Sequence, residues 1–302
     1  MKRVLVTGAS GFIGRQSLPA LVQRGFDVHA VSSRPRTASI ADVTWHQCDL
    51  LAADRIPELM QRVSPTHLLH LAWFAVPGQF WTSTENLRWV RASLDVVHGF
   101  AAVGGQRLVT AGTCAEYEVS DEDCDERVTP LRPSTLYGTC KHALHLVVEK
   151  FAEGRFSAAW GRVFHLYGPH EYPDRLVPSV IRSLLNAEPA LCTAGTQVRD
   201  FLHVADVAGG FVALLDSSVT GPVNIASGVP VSIADVVQLI GRHMGAESLI
   251  RLGARALPAH EQPRLTANPS RLRDEVGWTP TMNLDSGLLH TIDWWRSAPR
   301  SK

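Results

Sequence analysis

The chain has no surplus of charge, with 29 Lys and Arg against 29 Asp and Glu. A balanced chain offers no broad electrostatic hold on nucleic acid or an anionic membrane, so neither is expected as a partner. Long apolar runs are also missing. Nothing reaches the roughly 18 apolar residues a membrane helix needs, and the opening "MKRVLVTGAS" lacks the apolar stretch of a secretory signal. Cysteine is scarce: Cys48, Cys114, Cys124, Cys140 and Cys192 are scattered and odd in number. No pair has metal-site spacing beside a histidine pair, so no metal is expected and the thiols read as reduced. Low-complexity segments are absent. These absences point to a soluble, cytoplasmic protein. Its 302 residues, 45% of them hydrophobic, suffice for one large core or two modest ones.

What is present is an alternation of short apolar runs with longer amphipathic ones. "RVLVTG", "DVHAVS", "VTWHQCD", "THLLHLA", "QRLVTAGT" and "FSAAWGRVF" read as strands, with helical patterns after the first and between the later ones. That order predicts a doubly wound parallel sheet covered on both faces, an α/β fold of Rossmann type. After about residue 165 the alternation weakens, and a smaller α/β C-terminal lobe is expected over the carboxyl ends of the strands. The expected division is 1–164 plus about 201–222 for the nucleotide-binding domain. About 165–200 plus 223–302 then form the substrate lobe.

"VLVTGASGFIG" places Gly8, Gly11 and Gly14 between a strand and a helix. Gly8 permits a tight turn, Gly11 a close approach of pyrophosphate, and Gly14 close helix–strand packing. The helix N-terminus favours the phosphates. A dinucleotide is the expected cofactor. An NAD site usually ends its second strand on an acid that bonds the adenosine ribose. Here the chain reads "AVSSRPR", with Ser32 at that position, then Ser33 and Arg34. No carboxylate repels a 2′-phosphate and Arg34 can bond it, with Arg36 a second candidate. NADP(H) is therefore expected over NAD(H).

"TLYGTCKHAL" puts Tyr137 and Lys141 four apart on a predicted helix, hence on one face. A nearby ammonium and an oxidised nicotinamide would favour phenolate and make Tyr137 an acid/base. Thr113 ends the fifth strand, where the ligand crevice of such a sheet opens.

Together these residues resemble the extended short-chain dehydrogenase/reductases, the nucleotide-sugar epimerase/dehydratase group. The resemblance covers nearly the whole chain. "TGASGFIG" matches the family fingerprint and brings Ser10, Phe12 and Ile13 into the cofactor set. "CDL" matches at Asp49 and Leu50, "HLA" at Leu71 and Ala72, and Asn86 falls on the family's helix asparagine. "GRVFHLYGP", "GTQVRDFLHVADVA", "PVNIASG" and "LTANPSRLRDEVGWTP" resemble its later motifs. The resemblance implies that Tyr137 is the acid/base, that Lys141 binds the nicotinamide ribose and acidifies the phenol, and that Thr113 holds the reacting oxygen. Arg199 and Arg264 look like diphosphate contacts, though Arg199 could instead pair with Asp200 or Asp206. Cys114, His165, His170 and Arg175 complete the substrate set, His170 also reading as an exposed loop residue.

The family's dehydratases carry Asp-Glu directly after the catalytic Thr; here stand Cys114 and Ala115. Its double-base epimerases use a Cys two residues after that hydroxyl and a His after "YGP". Ala115 occupies the first position and His170 the second. Simple hydride transfer remains: reduction of a nucleotide-diphospho-4-keto-6-deoxyhexose. A C4 epimerase and a non-catalytic NADP(H)-binding regulator are the alternatives. The resemblance also implies a homodimer built on the helices around 86–103 and 134–153. Their apolar Trp89, Val96, Leu144 and Val148 could equally cover the sheet. Trp294 and Trp295 are expected to anchor the last helix.

Overall fold

The computed structural model describes residues 2–35, 40–118, 121–257 and 261–298. Arg36 lies outside them. The predicted strands form one parallel sheet: β1 (Arg3–Thr7), β2 (Asp27–Ser32), β3 (Val43–Gln47), β4 (His67–His70), β5 (Arg107–Thr113) and β6 (Ser157–Val163). A seventh strand, β10 (Gly221–Ile225), pairs with β6 and completes the order β10-β6-β5-β4-β1-β2-β3. The expected changeover after residue 222 falls inside β10, whose pairing with β6 holds it in the large sheet through Ile225.

Helices cover both faces. α1 (Phe12–Gln23) and α6 (Val204–Asp216) bury Leu18, Leu21, Val207 and Phe211 on one side. α2 (Ile56–Val63), α3 (Glu85–Ala102) and α4 (Leu136–Ala152) bury Ile56, Phe100 and Trp160 on the other. Val96, Leu144 and Val148 belong to this second core and Trp89 packs against it. Val96, Leu144 and Val148 thus cover the sheet, while Trp89 stays partly exposed. The large apolar residues left exposed on the same two helices are Leu87, Leu146 and Val147.

The second lobe is built around β7 (His165–Tyr167), β9 (Val198–His203), β11 (Pro230–Ser232) and β13 (Arg264–Leu265), all joined through β9. α5 (Leu176–Leu185), α7 (Ile233–Met244) and α8 (Leu284–Ser297) pack Ile181, Ile240 and Ile292 into its core. Trp295 packs against that core, while the Trp294 ring meets His170 at 4.5 Å.

Strand order reverses beside β1, because β2 and β3 lie to one side and β4 to the other. The loops after β1 and β4 part at that point, which is where such sheets form a ligand crevice.

Candidate functional site

The glycine loop is fixed by steric exclusion. Gly8 has φ +65°, and a Cβ there would lie 2.7 Å from the Ala72 nitrogen, in the loop after β4. A Cβ at Gly14 would lie 2.2 Å from the Gly8 carbonyl oxygen. Both positions require glycine. Gly11 opens α1 with no side-chain cap and no acid in the first turn, so the helix start keeps backbone N–H groups for an anion. Ser10, Phe12 and Ile13 stand partly exposed around it, and Leu71 and Ala72 close the other side. This geometry fits a dinucleotide pyrophosphate.

At the end of β2, Ser32 is buried and its hydroxyl accepts the Arg34 N–H at 3.3 Å. The Ser33 and Arg34 side chains are exposed. Asp49 is exposed and accepts the Leu51 N–H at 3.0 Å, while Leu50 is buried.

Thr113, Tyr137 and Lys141 come together where β5 ends and α4 begins. Thr135 caps α4 by accepting the Gly138 N–H. The Tyr137 N–H donates to Trp81 O at 3.1 Å, and its ring is edged by Trp73, Phe80 and Trp81 at 6.4, 4.9 and 5.8 Å. Asn86 pins this aromatic loop. It donates to Phe80 O and Ser83 O and accepts the Trp73 indole N–H at 2.9 Å. The phenol faces the Thr113 side chain.

The electrostatics differ from the sequence argument. Burial pushes Tyr137 well above the ordinary phenol range, and Cys114 and Glu116 add to that. A hydrogen bond with Thr113 and the Arg175 charge work the other way. Lys141 donates to Ala111 O at 2.8 Å and stands over the Trp73 ring. Burial pushes it down to about 7. Without a cofactor, burial outweighs any acidification of Tyr137, and Lys141 Nζ is directed at a carbonyl and a ring.

Glu116, which sequence reasoning passed over, organises the floor of the site. It is fully buried and takes the Thr113 N–H, the Trp160 indole N–H and Arg162 Nε, the last at 2.9 Å. His142 and His145 lie near it. Both carboxylate oxygens are already engaged and Arg162 brings a positive charge, which does not suit a metal cation. Only the short spacing to Thr113 could have suggested Glu116, since its partners lie 44 and 46 residues away.

The lobe residues divide. Arg175 bears on Tyr137, and Arg175 and Arg199 both bear on His165. Burial and those two charges hold His165 neutral, its pKa about 3, and its Nδ1 has no hydrogen-bond partner. Cys114 is a thiol held protonated, its pKa pushed up to about 12 by burial. Arg199 is 4% exposed and pairs with Glu261 at 2.7 Å, not with Asp200 or Asp206. Those two acids instead accept from Ser227 and Gly228, and from Thr281 and Met282. Arg264 pairs with Asp123 at 2.7 Å. His170 is exposed, with φ +70° and its ring on Trp294.

A parallel sheet with a glycine loop at its switch point, and a Tyr-x-x-x-Lys helix beside the last-but-one central strand, define an extended short-chain dehydrogenase/reductase. The chain belongs to the NAD dependent epimerase/dehydratase family, whose sequence pattern matches residues 4–226. It is similar to UDP-glucuronic acid decarboxylase 1 of Xenopus tropicalis, 27% identical over 308 residues, covering 98% of this chain and 72% of that protein. The UDP-glucose 4-epimerase of Corynebacterium glutamicum is 25% identical over 310 residues, covering 92% of this chain and 91% of the other. Among solved structures, MoeE5 in complex with UDP-glucuronic acid and NAD superposes with a TM-score of 0.83 at 28% identity, covering 97% of this chain and 99% of that one.

Proposed function

We propose that the protein reduces a nucleotide-diphospho-4-keto-6-deoxyhexose to the 4-hydroxy sugar with NADPH. The observation that carries the reading is the hydrogen bond between the Thr113 and Tyr137 side chains where β5 ends, with Lys141 one turn further along α4. A bound nicotinamide supplies the hydride, and a carbonyl oxygen held by Thr113 takes its proton from Tyr137. The buried phenol is neutral and able to donate. Restoring it by a proton from solvent closes the cycle. Dehydration is disfavoured because Cys114 and Ala115 follow Thr113 and the buried carboxylate that accepts its N–H, Glu116, is engaged by Arg162. Gly8, Ser10, Gly11, Phe12, Ile13, Gly14, Asp49, Leu50, Leu71 and Ala72 would hold the cofactor. Ser33 and Arg34 would take a 2′-phosphate. Arg175, Arg199 and His165 would face the substrate's anionic part, with Arg199 released from Glu261.

A C4 epimerase is the second reading, favoured by the C. glutamicum relative. MoeE5, whose structure holds NAD, likewise leaves NAD(H) as the alternative cofactor. A non-catalytic NADP(H)-binding regulator is the third. A turnover screen decides among them, using NADPH and 4-keto-6-deoxy sugars on UDP, dTDP, GDP and CDP, then product stereochemistry. Stoichiometric NADPH oxidation supports reduction. Interconverting epimers with retained cofactor mark the epimerase, and cofactor binding without turnover on any sugar nucleotide marks the regulator. A homodimer through Leu87, Leu146 and Val147 and a cytoplasmic location complete the proposal; light scattering of Leu146→Glu tests the first.

A further inference from the structure

The loop between β7 and α5 carries an acid that the reading above does not use. Glu171 is 7% exposed, and the nearest charge is Arg175, whose Nε lies 3.7 Å from Oε1. That is within ion-pair range but too long for a hydrogen bond. Oε2 is buried with no hydrogen-bond partner. The other two arginine–glutamate pairs near the site are closed, Glu116–Arg162 at 2.9 Å and Glu261–Arg199 at 2.7 Å. Arg175 stands at the N-terminus of α5 with its side chain 38% exposed, and its charge reaches both the Tyr137 phenol and His165. One guanidinium is thus held loosely from behind by a buried acid and faces the candidate site in front.

We propose that Glu171 is a positioning residue: in its ionised form, above neutral pH, its carboxylate holds Arg175 toward Tyr137 and releases it, taking a proton from solvent, when an anionic sugar nucleotide engages Arg175. The inference rests on the crevice being a nucleoside-diphosphate-sugar site. An ionised buried carboxylate needs its counter-charge. Burial pushes Glu171 up to about 8, while Arg175 and the Gly168 N–H favour the ionised form. An anion on Arg175 cancels the larger of those two supports, so the bound state favours the neutral acid. Among the described residues, Arg175 and Gly168 are the groups that bear on the Glu171 carboxyl. Arg175 approaches from α5 and Gly168 from its own loop. His203, at the end of β9, lies near Gly168, its Nε2 3.2 Å from where a Gly168 Cβ would sit and also 3.2 Å from His290 Nδ1; burial pushes it down to about 4. Tyr137 and His165 act through Arg175. Below pH 8 the neutral acid does not compete for Arg175; above it the carboxylate does, so anion binding weakens as pH rises through 8.

The test is calorimetric titration of the full chain with UDP, dTDP and GDP at pH 7, 8 and 9, in buffers of different ionisation heat. The wild type is expected to take up little proton on binding at pH 7 and most of one at pH 9, and to weaken by up to about tenfold between pH 8 and 9. Glu171→Gln should lose most of that slope and uptake. The small part due to Lys141 is common to both proteins. A wild-type slope in the variant overturns the proposal while leaving the substrate reading intact. Failure of all three diphosphates to bind the wild type overturns both. Should Glu171→Gln not fold, Arg175→Gln carries the test: weaker binding without uptake is expected, and retained uptake overturns the proposal.

Discussion

The Lys141 ammonium lies 3.8 Å from the centre of the Trp73 ring and donates to the Ala111 carbonyl at 2.8 Å. Burial holds this lysine at about 7 against an ordinary 10.5, with the Glu116 charge opposing the shift. Between those values the unfolded chain binds the proton and the folded chain does not. Stability contributed by Lys141 therefore rises with pH across that window and is lost as pH falls to 7. Lys141→Met removes the titrating group and keeps an apolar stem. The wild type should gain thermal stability over this variant as pH climbs from 7 to 10. Melting curves whose separation ignores pH would contradict a buried, neutral lysine.

Glu116 and Arg162 form an ion pair with neither side chain exposed. Removing one partner leaves a buried charge uncompensated, at a cost of about 3–5 kcal/mol. Arg162→Met should destabilise by that order in urea unfolding. The double variant with Glu116→Gln should recover a large part of the loss. The single variant should also disturb Thr113, whose N–H the same carboxylate accepts.

The large sheet was legible because its strands are apolar, its helices long, and its glycines punctuate a strand–helix junction. Tyr137 and Lys141 were legible because a helix turns their spacing into a shared face. The second lobe was less so. β7, β11 and β13 are three, three and two residues long, too short for periodicity, and they exist only through pairing with β9. β9 itself was missed within "GTQVRDFLHVADVA". The charge partners were the least legible. Arg199 finds Glu261 62 positions away, and its neighbour Asp200 binds the backbone of Ser227 and Gly228. The sense of the Tyr137 shift also could not be read, because spacing reveals a nearby lysine but not the burial that neutralises it.

The proposed preference for NADP(H) turns on Ser33 and Arg34. Arg34 follows Ser32 and Ser33 at the tip of β2, with no acid at the strand end. A charge-assisted bond to a 2′-phosphate at an exposed position corresponds to about tenfold in affinity. Arg34→Ala should weaken NADP(H) by about that factor and leave NAD(H) within about twofold, read from nucleotide fluorescence titrations at fixed salt. Equal losses would show that the guanidinium does not meet the phosphate.

Tyr137→Phe separates chemistry from architecture. The ring contacts with Trp73, Phe80 and Trp81 do not involve the hydroxyl, and neither does the backbone bond to Trp81, so the phenylalanine should keep them. Lys141 keeps its hold on Ala111, so the cofactor face beneath should be unchanged. What disappears is the hydroxyl beside Thr113, the proposed proton donor. General acid catalysis is worth about 10²–10⁴-fold, so kcat should fall by that order while cofactor affinity stays within about threefold. Circular dichroism and nucleotide titration establish that the fold and cofactor site survive, and single-turnover rates then read the chemical step alone. A variant that binds cofactor and turns over at the wild-type rate would remove Tyr137 from the reaction and leave the proton to come from water or another side chain.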